Sequence, residues 1–193
     1  MRLSSRNQKT QSIMDLTSVA DGSKNTPGKI LQVNHAGEFG AINIYRAQIA
    51  IARLTGAKHL GLLEEFLLHE KEHHRIFGAE LKRRGIRHCP SLWLCGVGGF
   101  VLGLISGLLG KNSVLACTAA VETVVLKHLR EQLQALQKLG DQAAYDAVAK
   151  IVIDEEEHQQ AGMEANQDCT FYRPYYNIIR QCTEAVIWMG MRL

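Results

Sequence analysis

Residues that interrupt helices are scarce in this sequence of 193 residues, which contains only three prolines, Pro27, Pro90 and Pro174. Each proline stands where a helix could begin, and the long stretches between them contain no breaker other than glycine. No segment alternates polar and apolar residues in the way that a half-buried strand does. The sequence therefore predicts an all-α protein, long enough for one domain with a full core.

The sequence also lacks a Cys-x-x-Cys motif, although it has five cysteines. An odd number of scattered cysteines is typical of a reducing compartment and argues against a zinc knuckle or a disulfide framework. Residues 1–28 lack the apolar segment of a secretory signal, and their composition predicts a flexible tail before a domain at 29–193. A short transit peptide carrying Arg2, Arg6 and Lys9 is the alternative for this segment.

Charge of one sign is not in large excess, because the formal net charge is only +3. The basic residues form no dense patch with aromatic residues between them. Proteins that bind nucleic acid need such a patch to neutralise phosphates, so we expect no nucleic-acid partner.

Capping residues, prolines and glycines along the chain predict five long helices. Thr26 can cap the first helix with Pro27 at its first position, and Asp141 can cap the fourth. The predicted helices run from Pro27 to about Leu54, from about Ala57 to Gly85, from about Ser113 to Gly140, from Asp141 to about Asn166, and over 174–192. Short polar breaks join the first helix to the second and the third to the fourth, which predicts two antiparallel hairpins.

Residues 91–110 contain no charged side chain, and six glycines interrupt this apolar stretch. Its length would suit a transmembrane helix, but one span would separate the two hairpins across the bilayer. We therefore expect an apolar segment that lies in the membrane interface or re-enters it, with a buried core helix as the alternative.

Two Glu-x-x-His motifs stand out, Glu70 with His73 and Glu155 with His158. This spacing places a carboxylate and an imidazole on one helix face, where both can reach one metal ion. Glu38 lies 32 residues before Glu70, and Glu122 lies 33 residues before Glu155, each in the preceding predicted helix. A Glu on two helices and Glu-x-x-His on the other two is the ligand set of ferritin-like di-iron proteins. The predicted fold is therefore a ferritin-like four-helix bundle with two additional apolar helices.

The alternatives to a metal role differ from residue to residue. Glu38 and Glu122 stand among small and apolar residues, where an unpaired carboxylate would be costly. Glu155 lies in an acidic run, and only its spacing to His158 selects it over Glu156 and Glu157. His69 is expected at the surface or beside the ligands, and a zinc site formed by His69 and His73 is an alternative.

Four segments resemble motifs of the demethoxyubiquinone hydroxylase family, the di-iron monooxygenases of coenzyme Q biosynthesis. These segments are Asn34-His-Ala-Gly-Glu-Phe-Gly-Ala41, Leu68-His-Glu-Lys-Glu-His-His74, Ala120-Val-Glu122 and Asp154-Glu-Glu-Glu-His158. The resemblance implies metal ligands at Glu38, Glu70, His73, Glu122, Glu155 and His158, which match the family's ligand positions one for one.

The resemblance further implies two Fe ions, O2 as co-substrate and an external reductant, for which NADH is one candidate. The implied substrate is a polyprenylated methoxy-methyl-benzoquinol, and other ubiquinone-biosynthesis proteins are candidate partners. The implied location is peripheral, on the cytoplasmic face of a bacterial inner membrane or the matrix face of a mitochondrial one. The alternatives are a ferritin-like ferroxidase, another di-iron hydroxylase such as one that modifies tRNA, and a non-catalytic quinone-binding protein.

Overall fold

The computed structural model describes residues 26–164 and 172–193, and these residues form six α-helices and no strand. The helices are α1 (Pro27–Thr55), α2 (Leu60–Arg83), α3 (Leu92–Leu108), α4 (Lys111–Leu139), α5 (Gln142–Glu164) and α6 (Tyr172–Gly190). Most of the predicted tail at 1–28, namely residues 1–25, lies outside the described residues. The all-α prediction is confirmed.

The helix ends agree with the predicted caps in most places. The Thr26 side chain accepts a hydrogen bond from the backbone N–H of Lys29, and Pro27 follows at the first helical position. The Asp141 carboxylate accepts one from the N–H of Ala144 at the start of α5. Gly140 ends α4 with φ 69°, a conformation that glycine adopts without strain.

Two predicted helix starts, those of α2 and α6, were wrong by two or three residues, whereas α1 begins at Pro27 as predicted. α2 begins at Leu60 rather than at Ala57. α6 begins at Tyr172, before Pro174, because the first turn of a helix tolerates a residue that lacks an N–H group.

Helices α1, α2, α4 and α5 share one hydrophobic core. Its buried members come from all four helices and are Ile30, Leu31, Phe77, Leu81, Leu129, Leu136, Ala144, Val148 and Ile151. Burial of this apolar surface supplies the main driving force that holds the two hairpins together. A second buried cluster, centred on Tyr45 and Phe66, lies between α1, α2 and the start of α4.

Helix α3 packs against α1 through its glycines. A Cβ atom added at Gly103 would lie 2.8 Å from the Cα atom of Ile44, so the two backbones are in direct contact there. The opposite face of α3 exposes large apolar side chains, among them Trp93, Val97 and Phe100. Among the described residues, no helix is long and apolar enough to cross a membrane.

Candidate metal centre

All six predicted ligands meet in the interior of the bundle. Glu38 comes from α1, Glu70 and His73 from α2, Glu122 from α4, and Glu155 and His158 from α5. Each of them is at most 5% exposed. Two sets of four residues have side-chain ligand atoms within 4.8 Å of one another. The first set is Glu38, Glu70, His73 and Glu155, and the second is Glu70, Glu122, Glu155 and His158.

The two sets share Glu70 and Glu155, so these carboxylates lie between two possible metal positions. Each position then has one carboxylate of its own and one imidazole. Nδ1 of His73 lies 3.1 Å from Oε1 of Glu155, and Nδ1 of His158 lies 3.3 Å from Oε1 of Glu70. Both imidazoles therefore direct Nδ1 toward the shared carboxylates.

Helix register separates Glu155 from the acidic residues that follow it. Glu155 is 1% exposed, whereas Glu156 and Glu157 are exposed. Glu156 instead pairs with Arg130 on the surface at 2.7 Å. The i, i+3 relation to His158 thus identified the inward-facing member of the acidic run.

Burial dominates the ionisation of these carboxyl groups. It raises the pKa of Glu38, Glu70 and Glu122 well above the usual range, and the charges of neighbouring carboxylates raise it further. Burial also acts to raise the pKa of Glu155, but the close approach of His158 and His73 outweighs it and leaves that pKa below its usual range. Burial lowers the pKa of His73, yet Glu155 and Glu38 reverse the effect and raise it to about 9.

The donor set fits divalent metal ions. Within the described part of the chain, both carboxylate oxygens of Glu70, one of Glu155, and Nδ1 of both His73 and His158 are buried without a hydrogen-bond partner. Leaving one such group unsatisfied costs about 1–3 kcal/mol, so five in one place need a common partner. Carboxylate oxygens and imidazole nitrogens are ligands for first-row metals such as iron and manganese.

The alternative zinc site is not formed by the described residues. His69 directs Nδ1 to Nε2 of His158 at 3.1 Å, and no group of potential ligands among these residues contains His69. His69 thus lies beside the cluster, which agrees with one of the two positions expected for it.

A cavity of about 370 Å³ adjoins the cluster. Carboxylates of the cluster line part of it, together with apolar residues of α3, α4 and α6 such as Leu102, Val125 and Val186. Neither imidazole is among the lining residues. A molecule in the cavity would therefore approach the cluster from its carboxylate side, which is the side left open by the histidines.

Sequence reasoning missed several polar residues of the site. Nε2 of His73 lies 2.9 Å from Oδ2 of Asp154, which the sequence presents as one more acid in an acidic run. Asn34 and Gln132 exchange two hydrogen bonds at 2.8 and 3.0 Å and both line the cavity. Because they are 98 residues apart, no local spacing could have paired them.

Comparisons with known proteins agree with this arrangement. The chain is 34% identical over 168 residues to the NADPH-dependent 3-demethoxyubiquinone 3-hydroxylase, mitochondrial, of Dictyostelium discoideum, which covers 86% of this chain and 76% of that protein. It is 30% identical over 173 residues to the human protein of the same name, covering 86% and 77%. The 3-demethoxyubiquinol 3-hydroxylase of Legionella pneumophila (strain Corby) is 31% identical over 189 residues, covering 96% and 83%.

The sequence model of the family described as ubiquinone biosynthesis protein COQ7 matches residues 25–190, and this span includes every residue of the cluster. Because the match covers most of the chain, and relatives of at least 30% identity are covered over more than two thirds of their length, the chain belongs to the COQ7 family.

Proposed function

We propose that this chain is a 3-demethoxyubiquinol 3-hydroxylase, which adds a hydroxyl group to the ring of a polyprenylated methoxy-methyl-benzoquinol. One observation carries the proposal: a member of the COQ7 family has a buried cluster of six candidate metal ligands, and the four carboxylates of this cluster line a mainly apolar cavity. We assign the four-helix core with its two added helices to the ferritin-like architecture, since its four helices supply the ligand set typical of that architecture.

The cluster would hold two Fe ions. Glu38 and His73 would hold one ion, Glu122 and His158 the other, and Glu70 and Glu155 are within reach of both positions. Iron in this site would supply the electrons that cleave O2 and the oxidant that hydroxylates the ring. We propose a reduced nicotinamide nucleotide as the external reductant, since the mitochondrial relatives are named as NADPH-dependent.

The chain's own contribution is to orient the ring and to exclude water. Apolar side chains of α3 and α6 cover the cavity, so that a quinol ring would displace water from the carboxylate side of the cluster. The Asn34–Gln132 amide pair provides polar groups in an otherwise mainly apolar wall. Such sparse polar groups fix the orientation of a ligand that apolar contacts alone would leave free to rotate.

Quinone analysis of a deletion strain tests the reaction. Cells that lack the chain should accumulate the precursor that is one ring hydroxyl short, and the wild-type gene should restore ubiquinone. The Glu122→Ala variant should be expressed and helical but fail to restore it, because one ion loses its own carboxylate. Glu157→Gln, which changes an exposed carboxylate on α5, is the control and should restore ubiquinone fully.

Two results would contradict the proposal. One is a normal ubiquinone level in the deletion strain when no second hydroxylase gene is present. The other is full restoration by Glu122→Ala. Elemental analysis of protein purified without oxygen should also find about two iron ions per chain, and one tightly held zinc ion would be inconsistent with the proposed centre.

We further propose that the chain binds the membrane surface through the exposed face of α3. This face presents Trp93, Val97, Phe100, Ile105 and Leu108, which are 48–70% exposed, and it carries no charge. Exposed apolar patches of this kind mark membrane or protein contacts. A substrate with a long prenyl tail stays in the bilayer. Because α3 both forms a wall of the cavity and would face the membrane, the ring could pass from the bilayer directly to the site.

Flotation with liposomes tests the membrane proposal. The double variant Val97→Asp/Phe100→Asp should remain in the soluble fraction, since a charge within the hydrocarbon region costs roughly 2.5–3.5 kcal/mol. Leu139→Asp is the matched control, because Leu139 is 50% exposed at the end of α4, outside this face. If both variants float as well as the wild type, α3 does not mediate the contact.

The exposed face of α3 also argues against the ferroxidase alternative. A soluble storage protein needs a polar exterior, and a continuous apolar face of this kind would promote association. The chemistry of a ferroxidase would in addition leave the apolar cavity without a use.

A further inference from the structure

The two imidazoles of the cluster have different partners on the side that faces away from the carboxylates. Nε2 of His73 lies 2.9 Å from Oδ2 of Asp154, whereas Nε2 of His158 lies 3.1 Å from Nδ1 of His69. Asp154 is an anionic acceptor, while an imidazole nitrogen accepts a hydrogen bond only in a neutral tautomer. The two metal positions therefore differ in their outer partners, although each has three carboxylates and one histidine.

These outer contacts decide which imidazole nitrogen carries the proton. When a metal ion displaces the proton from Nδ1 of His73, the hydrogen bond that Nε2 donates to Asp154 keeps the lone pair of Nδ1 directed at the cluster. The same would hold for His158: with a metal ion at Nδ1, its Nε2 carries the proton and would donate it to Nδ1 of His69. The rings of His69 and His158 are nearly parallel, at 10° with centroids 5.3 Å apart, so His69 also fixes the orientation of its partner.

We propose that Asp154 and His69 are positioning residues that make the two metal positions unequal, with the His73 position binding a divalent ion more tightly and filling first. The inference rests on the proposed function only in requiring that the cluster bind metal. An outer hydrogen-bond partner orients an imidazole and makes it a stronger donor to a metal ion, and an anionic partner has the larger effect on donor strength.

Charge beside the cluster supports the same order of filling, because the carboxylate of Asp154 contacts the imidazole of only one position, that of His73. The Asp154 side chain is 39% exposed, so solvent screens part of this charge, but its hydrogen bond to a fully buried imidazole remains. No described residue provides a corresponding carboxylate for Nε2 of His158, which faces His69.

A purely structural role for the two contacts predicts a different result. Both contacts join α2 to α5, so their loss could loosen the bundle without changing either metal position. In that case the free energy of unfolding of the metal-free protein would fall, while the order and affinity of metal binding would stay the same.

Titration of the metal-free full chain with Co(II), followed by visible absorption and by calorimetry, separates these roles. The wild type should show two binding events of unequal affinity. Asp154→Asn keeps an acceptor of the same shape but removes the charge, and it should weaken the tighter event by about 10- to 100-fold while leaving the weaker one. Glu157→Gln, which removes one charge from an exposed position on the same helix, should change neither event.

His69 has its own pair of variants. His69→Leu should weaken the weaker event by about 10- to 100-fold, and His69→Gln should recover part of that loss, because an amide oxygen can accept the hydrogen bond from His158. Equal affinities in the wild type would overturn the inference but not the proposed function. The inference also fails if Asp154→Asn behaves as Glu157→Gln does, or if either variant lowers only the melting temperature. A wild type that binds no Co(II) or Fe(II) would contradict the proposed function as well.

Discussion

Replacing Gly103 by alanine should destabilise the protein, because α3 and α1 approach each other backbone to backbone at this position. The added Cβ would lie 2.8 Å from Cα of Ile44, and Cβ atoms essentially never approach another atom closer than 3.0 Å. Ordinary contact begins at 3.4 Å, and the neighbour is backbone that cannot rotate away. Helix α3 would have to move outward by roughly 0.5–1 Å, which is large on the scale of close-packed interiors.

The size of the effect follows from two opposing contributions. Overpacking of a tight contact typically costs about 1–3 kcal/mol, and a backbone clash belongs in the upper part of that range. Alanine is favoured over glycine inside a helix by about 1 kcal/mol. The expected net loss in the free energy of unfolding is therefore about 1–2 kcal/mol.

Gly98 provides the matched control on the same helix. A Cβ added there meets no atom within 4 Å, so Gly98→Ala should gain the helix preference of about 1 kcal/mol without a clash. The two variants should then differ by about 2–3 kcal/mol, or about 4–12 °C in Tm for a chain of this length. Urea unfolding and thermal unfolding, each followed by circular dichroism, measure this difference.

The same displacement should reach the cavity beside the carboxylate and histidine cluster. Leu102 and Ile105 of α3 line the cavity, so an outward shift of the helix should raise KM for the quinol more than it changes iron content. Equal Tm values for Gly103→Ala and Gly98→Ala would refute the close approach of α3 to α1, and with it the packing role of the α3 glycines.

Three further predictions concern the cluster and the cavity. Glu155→Gln should abolish quinol hydroxylation in an O2-consumption assay, whereas Glu157→Gln should retain it, and equal losses would show that the helix register is wrong. The pKa of His73 is raised from 6.5 to about 9, so its proton stabilises the folded metal-free protein below pH 6.5, and this stability is lost as the pH rises to about 9. The Tm measured with EDTA should therefore fall over this range, whereas the Tm of protein loaded with Co(II) should change less. Identical pH profiles of Tm for the two samples would contradict the assignment of this proton to His73. Asn34→Leu leaves the Gln132 amide without its partner and should cost about 1–3 kcal/mol in urea unfolding, while the double variant with Gln132→Leu should cost less than the sum of the two single changes.

The sequence by itself predicted most of the helices and selected the six residues that form the buried cluster. Helix ends depend on neighbouring residues, such as the side chain of Thr26 and the glycine at 140, so local reading could locate them. The inward direction of Glu155 also follows from local geometry, because residues three apart share a helix face. The upstream glutamates were found because each hairpin repeats the same spacing.

Only the tertiary structure decided what surrounds the residues of this cluster. The contact of Asp154 with His73 joins residues 81 apart in the chain, and the amide pair of Asn34 and Gln132 joins residues 98 apart. The sequence did not decide whether the segment that forms α3 lies in a membrane interface or in the core. In the fold, one face of α3 packs against α1 and another exposes apolar side chains. Such contacts arise when separate helices pack, and packing depends on the shapes of both partners, which a periodic pattern along one helix does not contain.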